Sequence, residues 1–216
     1  MNKNEILPSI FGADIGKLKD EMQFLEDNEL KILHVDMMDG NYVPKIAFGP
    51  DQIKMISKET NLKLDVHLMV KEPKKWLDEV IDAGADMISV HYEATPHIHA
   101  ILSYLQKKGI QAGIALNPST KPEVLEYLME HLDYILVMTI NPGHSNQSFI
   151  PESINKIKKI KEMIGDRNIQ IEVDGGINPE LAEECAKAGA SMIVVGSYLF
   201  SENKPEKLKL LRQAII

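Results

Sequence analysis

The chain contains a single cysteine, Cys185, in 216 residues, so no disulfide can form within it, as suits a reducing compartment. No apolar run approaches the ~18 residues that a membrane span requires. The stretch from Met1 to Ile10 lacks the apolar core of a secretory signal, and a cytoplasmic protein with no membrane partner is expected. Positive charge is also scarce. The formal net charge is −8, which argues against a nucleic-acid partner, since such a surface needs clustered Lys and Arg. One basic run, Lys156, Lys158, Lys159 and Lys161, alternates with Ile154, Ile157, Ile160 and Ile164, and reads as a solvated helix face over an apolar stripe. Low-complexity segments, Pro/Gly/Ser linkers and short repeats are absent too. What is present, 44% hydrophobic and 26% charged residues, is enough for a packed core, and one domain over residues 1–216 is expected.

Short apolar runs suited to buried strands recur with helix-period segments between them. Eight such strands are expected: Ile6 to Pro8, Ile32 to Asp36, Leu64 to Leu68, Met87 to His91, Ala112 to Leu116, Tyr134 to Met138, Ile169 to Val173 and Ile193 to Gly196. Helices are expected at Lys17 to Asp27, Pro73 to Ala83, Lys121 to Glu130, Pro151 to Ile164, Pro179 to Ala188 and Pro205 to Ile215, several with Pro in the first turn. Two helix-to-strand junctions, Ala83-Gly84-Ala85-Asp86-Met87-Ile88 and Ala188-Gly189-Ala190-Ser191-Met192-Ile193, are near copies, with Gly where a helix C-cap needs left-handed geometry. Eight alternating units imply a parallel α/β sheet closed into a (β/α)8 TIM barrel. An open doubly wound nucleotide-binding sheet would show G-x-G-x-x-G after its first strand; here that turn reads Ser9-Ile10-Phe11-Gly12-Ala13.

In such a barrel the chemistry lies at the C-terminal strand ends. Those ends are polar here: Ser9, then His34 and Asp36, His67, His91 and Glu93, Asn117, and Asp174. Residues two apart on a strand share a face, so His34, Asp36 and Met38 point the same way. His34, Asp36, His67 and Asp174 form a set of two imidazoles and two carboxylates, which suits a divalent ion of the Zn, Mn, Fe or Co type. His97, His99 and His131 lack carboxylate companions and read as surface residues. Asn141-Pro142-Gly143, Asp174-Gly175-Gly176 and Gly196-Ser197 each follow a strand and can offer backbone N–H groups to a phosphate, which barrels often bind after strands seven and eight. Met38, Met69 and Met138 stand at or just past strand ends, where polarizable sulfur can line a cavity without competing for protons.

The motifs then become recognisable together: His34 to Gly40 with Val43-Pro44, Phe48-Gly49-Pro50, Asp65-Val66-His67-Leu68-Met69-Val70, His91-Tyr92-Glu93-Ala94, Met138-Thr139-Ile140-Asn141-Pro142-Gly143 and Glu172-Val173-Asp174-Gly175-Gly176-Ile177. With them the chain resembles the ribulose-phosphate 3-epimerase family, from Leu7-Pro8-Ser9 to Gly196-Ser197-Tyr198-Leu199-Phe200. The resemblance implies a barrel of the ribulose-phosphate-binding type with one divalent metal ion (Zn2+, Mn2+, Fe2+ or Co2+) on His34, Asp36, His67 and Asp174. It implies that Asp36 and Asp174 are the catalytic acid/base pair, that Ser9 and His67 contact substrate, and that Met38, Met69 and Met138 border the intermediate. Gly143, Gly175, Gly176, Gly196 and Ser197 fall at phosphate-side positions, and a homo-oligomer is expected.

The chain departs from that family in two places. The family pattern Asn-Pro-Gly-Phe-Gly-Gly-Gln here reads Asn141-Pro142-Gly143-His144-Ser145-Asn146-Gln147, so Ser145 and Asn146 stand where glycines are usual while keeping their N–H donors. Asn41 and Lys45 replace the usual His and Asn around the Val-Pro pair. The reaction implied is epimerisation at C3 of a ketose phosphate, D-ribulose 5-phosphate to D-xylulose 5-phosphate, through an enediolate. The loop changes bear on substrate identity, with D-allulose 6-phosphate as the alternative. A non-catalytic sugar-phosphate-binding barrel would not be expected to retain both aspartates and both histidines, and a decarboxylase would be expected to show a lysine within Asp36-Met37-Met38-Asp39.

Overall fold

The computed structural model describes residues 4–143 and 147–216. Eight strands run parallel: β1 (Glu5–Pro8), β2 (Ile32–Asp39), β4 (Lys63–Met69), β5 (Met87–His91), β6 (Gln111–Leu116), β7 (Tyr134–Met138), β8 (Gln170–Asp174) and β9 (Met192–Val195). Each pairs with the next around the sheet, and β9 pairs with β1. A parallel bridge between Ser9 and His34 joins β1 to β2 and closes the circle. The short β3 (Ile46–Ala47) folds back antiparallel on the end of β2, with Met38 opposite Ala47.

Alternation along the strands explains why both faces are apolar. On β2, Leu33, Val35 and Met37 face the large core shared with the helices, whereas Ile32 belongs to a separate cluster with Leu7, Met87, Tyr134, Met192 and Val194 that fills the base of the barrel interior. Above that plug the interior turns polar, and this change of chemistry along each strand positions the site.

The outer layer consists of α1 (Leu18–Asp27), α2 (Pro50–Glu59), α3 (Leu77–Asp82), α4 (Ile98–Lys107), α5 (Ser153–Ile164), α6 (Pro179–Ala188) and α7 (Lys204–Ala214). Local sequence sets their ends. Asn178 caps α6 by accepting from the Leu181 N–H at 2.9 Å, Pro179 follows it, and Gly189 ends the helix at φ +119°. Gly84, at the matching junction after α3, is also left-handed, at φ +103°. No described helix is long and apolar enough to cross a membrane.

The expected helix from Lys121 to Glu130 is replaced by two three-ten turns, Pro122–Leu125 and Met129–His131. Bonds Val124 to Lys121, Glu126 to Glu123, Leu128 to Leu125 and His131 to Leu128 all span three residues. With three residues per turn, the buried Leu125 and Leu128 fall on one line toward the core, so the apolar spacing is satisfied by the tighter helix. The expected helix from Pro73 to Ala83 likewise divides at Trp76 into a three-ten turn and α3. The α5 stripe is as expected, with Ile157, Ile160 and Ile164 buried. Lys156 is an exception among its lysines: it is half-buried and donates to the carbonyls of Asn117 and Pro118 at 2.8 and 2.7 Å, tying α5 to the loop after β6.

Candidate active site

Three strands carry acidic or imidazole side chains two positions apart: His34/Asp36 on β2, Asp65/His67 on β4 and Glu172/Asp174 on β8. Period-two geometry sends both members of each pair inward. Register sets Asp36 beside His67 and His34 beside Asp65. The interior therefore holds two stacked polar tiers.

The upper tier is open to the mouth. Asp36 Oδ1 lies 3.6 Å from His34 Nε2 and 3.4 Å from His67 Nδ1, and Asp174 Oδ2 lies 4.0 Å from the same His67 nitrogen. Ser9 Oγ donates to Asp36 Oδ2 at 2.7 Å, which fixes the carboxylate plane. One ligand atom from each of His34, Asp36, His67 and Asp174 lies within 4.8 Å of the others. His34 Nε2 and His67 Nδ1 are buried and have no hydrogen-bond partner among the described residues. An orphaned buried polar atom costs on the order of 1–3 kcal/mol, so two aimed at the same point favour a ligand between them. Two imidazole nitrogens and two carboxylates fit a divalent transition ion.

The lower tier holds the upper one in place. His34 Nδ1 meets Asp65 Oδ2 at 2.6 Å and Glu172 Oε1 at 3.2 Å, and Tyr134 donates its hydroxyl to Asp65 Oδ1 at 2.8 Å. With Nδ1–H directed at carboxylates, His34 turns its Nε2 upward. Gly113 makes room for Tyr134, because a Cβ there would lie 2.3 Å from the ring. Sequence reasoning passed over Asp65, Glu172 and Tyr134; for the two acids the signal was present, a carboxylate two residues before a strand-end ligand.

Electrostatics separates the two upper carboxyls. Burial pushes Asp36 up, but the charges and hydrogen bonds of His34 and His67 outweigh it and hold its carboxyl well below the usual range. Burial and the neighbouring Asp36 charge push Asp174 up to about 7. Burial also opposes the charge on His34, yet Asp65 and Asp36 raise it well above the ordinary value, whereas His67, also desolvated, is lowered. Burial pushes Glu172 well above its usual range, helped by the Asp65 charge.

A cavity opens over this tier, lined by Ser9, Asp36, Asp174 and all three strand-end methionines, Met38, Met69 and Met138. Its lining also includes Gly143, Gly175, Gly176, Gly196 and Ser197, together with Phe11, Gly12, Ile140, Gln147 and Tyr198, which the sequence did not single out. The backbone there needs glycine. Gly175 stands at φ +126° with Ile140 2.4 Å from where a Cβ would be, and Gly143 stands at φ +80° against Val43. His34 and His67 lie beneath the floor rather than in the lining, and Ser145 and Asn146 fall outside the described residues. His97 and His99 are exposed, and the half-buried His131 packs edge-on against His99 at 4.3 Å.

Sequence comparison extends this picture. The profile of the ribulose-phosphate 3 epimerase family matches residues 5–200. The chain belongs to that family. It is 40% identical over 206 residues to the ribulose-phosphate 3-epimerase of Bacillus subtilis, covering 94% of this chain and 95% of the relative. Against the Synechocystis enzyme of the same name it is 44% identical over 209 residues, covering 93% and 90%. Among solved structures, 3-hexulose-6-phosphate synthase from Salmonella typhimurium superposes with a TM-score of 0.72 at 18% identity, covering 98% of each chain. Orotidine 5′-phosphate decarboxylase from Pyrococcus horikoshii does so at 0.68 and 17% identity, covering 97% of this chain and 98% of its own. At such identities these two share the barrel fold. The protein is thus an epimerase, an isomerase on a TIM barrel, with a buried His/Asp group able to bind a metal.

Proposed function

We propose that this epimerase inverts C3 of D-ribulose 5-phosphate to give D-xylulose 5-phosphate, with Asp36 and Asp174 as its two acid/base groups. The observation that carries the reading is the convergence of Asp36, Asp174, His34 and His67 within 4.8 Å at the barrel mouth. Inverting a carbon beside a ketone requires a proton to leave one face and another to arrive on the opposite face, so two opposed groups are the minimum. Asp36 and Asp174 both line the cavity, so one can take the C3 proton as a carboxylate while the other, in its acid form, supplies a proton to the opposite face. The roles exchange in the reverse direction.

His34, Asp36, His67 and Asp174 would hold one divalent ion of the Zn, Mn, Fe or Co type. When bound, that ion supplies fixed positive charge beside the position where loss of the C3 proton leaves negative charge. Ser9 orients Asp36 through its 2.7 Å hydrogen bond and stands close enough to contact the substrate. Met38, Met69 and Met138 exclude water over the reacting carbons and offer no exchangeable proton. The phosphate is received by the backbone around Gly143, Gly175, Gly176, Gly196 and Ser197, which lines the same cavity.

Incubation in D2O with ribulose 5-phosphate, followed by NMR, is expected to show deuterium at C3 and formation of xylulose 5-phosphate. A parallel incubation with allulose 6-phosphate tests substrate length. Exchange in the six-carbon sugar alone would overturn the substrate, and exchange in neither would overturn the catalytic reading. Asp36→Asn and Asp174→Asn are each expected to lose at least ~10^2-fold in turnover, as expected for removal of an acid/base group.

A further inference from the structure

Behind His67 runs a chain of hydrogen bonds that the proposed reaction does not use. His67 Nε2 lies 2.8 Å from His91 Nε2, with the rings 4.9 Å apart and tilted by 30°. The other nitrogen of His91, Nδ1, lies 3.3 Å from Glu93 Oε2. Glu93 is itself anchored as an acceptor. Its Oε1 takes the Asn117 N–H at 3.0 Å and the Thr120 hydroxyl, and its Oε2 takes the Tyr42 hydroxyl at 3.4 Å. Asn117 Nδ2 in turn donates to the Tyr42 oxygen at 3.0 Å. Both imidazoles are fully buried.

We propose that Glu93, acting through His91, fixes the tautomer of His67 so that its Nδ1 lone pair faces the metal site, making Glu93 and His91 positioning residues for that centre. The inference rests on the metal-centre reading of His34, Asp36, His67 and Asp174 given above. Two imidazole nitrogens 2.8 Å apart can share one proton, and there are two ways to place it. If His91 Nε2 carries it, neutral His91 turns a bare Nδ1 lone pair toward the Glu93 carboxylate, which repels it. His67 must then carry its own proton on Nδ1, where it blocks the site. If His67 Nε2 carries the proton, His91 is protonated at Nδ1, its N–H points at the carboxylate, and every contact along the chain joins a donor to an acceptor. The Glu93 charge selects the second arrangement.

His34 receives the same instruction directly, from Asp65 at 2.6 Å. For His67 the carboxylate stands one imidazole further away. That distance matters in a barrel whose interior already holds Asp36, Asp65, Glu172 and Asp174, because a further carboxylate in contact with His67 would add repulsion to the tier that must bind the ion. Routing the signal through His91 sets the tautomer from the loop layer, where Glu93 keeps 25% of its side chain exposed.

The test is long-range 1H–15N correlation NMR of metal-free protein, with the His67 signals assigned by their loss in His67→Asn, followed by Zn2+ titration against a competing chelator. The proposal expects wild-type His67 to carry its proton on Nε2 with Nδ1 bare. In Glu93→Gln, where one carbonyl oxygen replaces two carboxylate oxygens, the Nδ1–H tautomer should gain population and Zn2+ affinity should fall by about 10–100-fold. Wild-type protein with His67 protonated on Nδ1 would overturn the proposal without recourse to any variant, so a poorly folding Glu93→Gln does not shield it. A folded Glu93→Gln with unchanged tautomer or unchanged Zn2+ affinity would overturn it too. Wild-type protein with the expected tautomer that fails to bind Zn2+ would instead overturn the metal-centre reading.

Discussion

Asp36 and Asp174 are the same residue type within 4.8 Å of common neighbours, yet they favour opposite protonation states. The cause is the partners. Asp36 faces both imidazoles and the Ser9 hydroxyl, while Asp174 is raised to about 7 by burial and by the charge on Asp36. A cation bound between them competes with the Asp174 proton, so the sign is fixed: as pH falls below about 7 the proton competes better and apparent metal affinity drops. Zn2+ binding to metal-free protein at pH 6 is therefore expected to release protons, and Asp174→Asn to release fewer. Calorimetry in buffers of different ionisation enthalpy measures this, and equal release by both proteins would contradict the assignment. At this scale the sequence was legible where a residue type is costly to bury. Histidine and aspartate at strand ends stood out because an apolar interior has no use for them. Asp65 and Glu172, of equal cost, were passed over because they lie mid-strand, where their role is support of the ligands above them.

The elements convert this chemistry into position. Period-two alternation puts Leu33, Val35 and Met37 under the helices and His34, Asp36 and Met38 inside the barrel, and that alternation can be read from residue spacing alone. Close approach of two loops cannot. Gly12, after β1, lies so near the loop after β9 that a Cβ would stand 2.6 Å from the Gly196 carbonyl carbon and 2.7 Å from the Ser197 nitrogen. Gly12→Ala is accordingly expected to cost on the order of 1–3 kcal/mol by overpacking. Because it displaces the backbone assigned to the phosphate, KM should rise more than kcat falls. Thermal unfolding and steady-state kinetics together check this, and an unchanged KM would remove Gly196 and Ser197 from the phosphate site. The Lys121–Glu130 segment shows a second limit. Leu125 and Leu128 are buried there, but three-residue and 3.6-residue turns bury such a pair equally well, so periodicity did not distinguish them.

For the molecule as a whole, barrel closure brings residues distant in the chain to one mouth, with Asp36 from β2 and Asp174 from β8. Strand count and polar strand ends announced that convergence. The shape of the phosphate end depends on loop packing and was announced only in part, by its glycines. Each aspartate, on the proposed mechanism, serves one face of C3. The most direct measurement follows deuterium entry at C3 from D2O, by NMR, in Asp36→Asn and Asp174→Asn with bound metal content matched to wild type, starting separately from ribulose 5-phosphate and xylulose 5-phosphate. Each variant retains one base, so each should exchange the C3 proton of one epimer without inverting it, and the two variants should choose opposite epimers. Exchange of both epimers by one variant, exchange of neither by both variants, or wild-type turnover in either would contradict the claim.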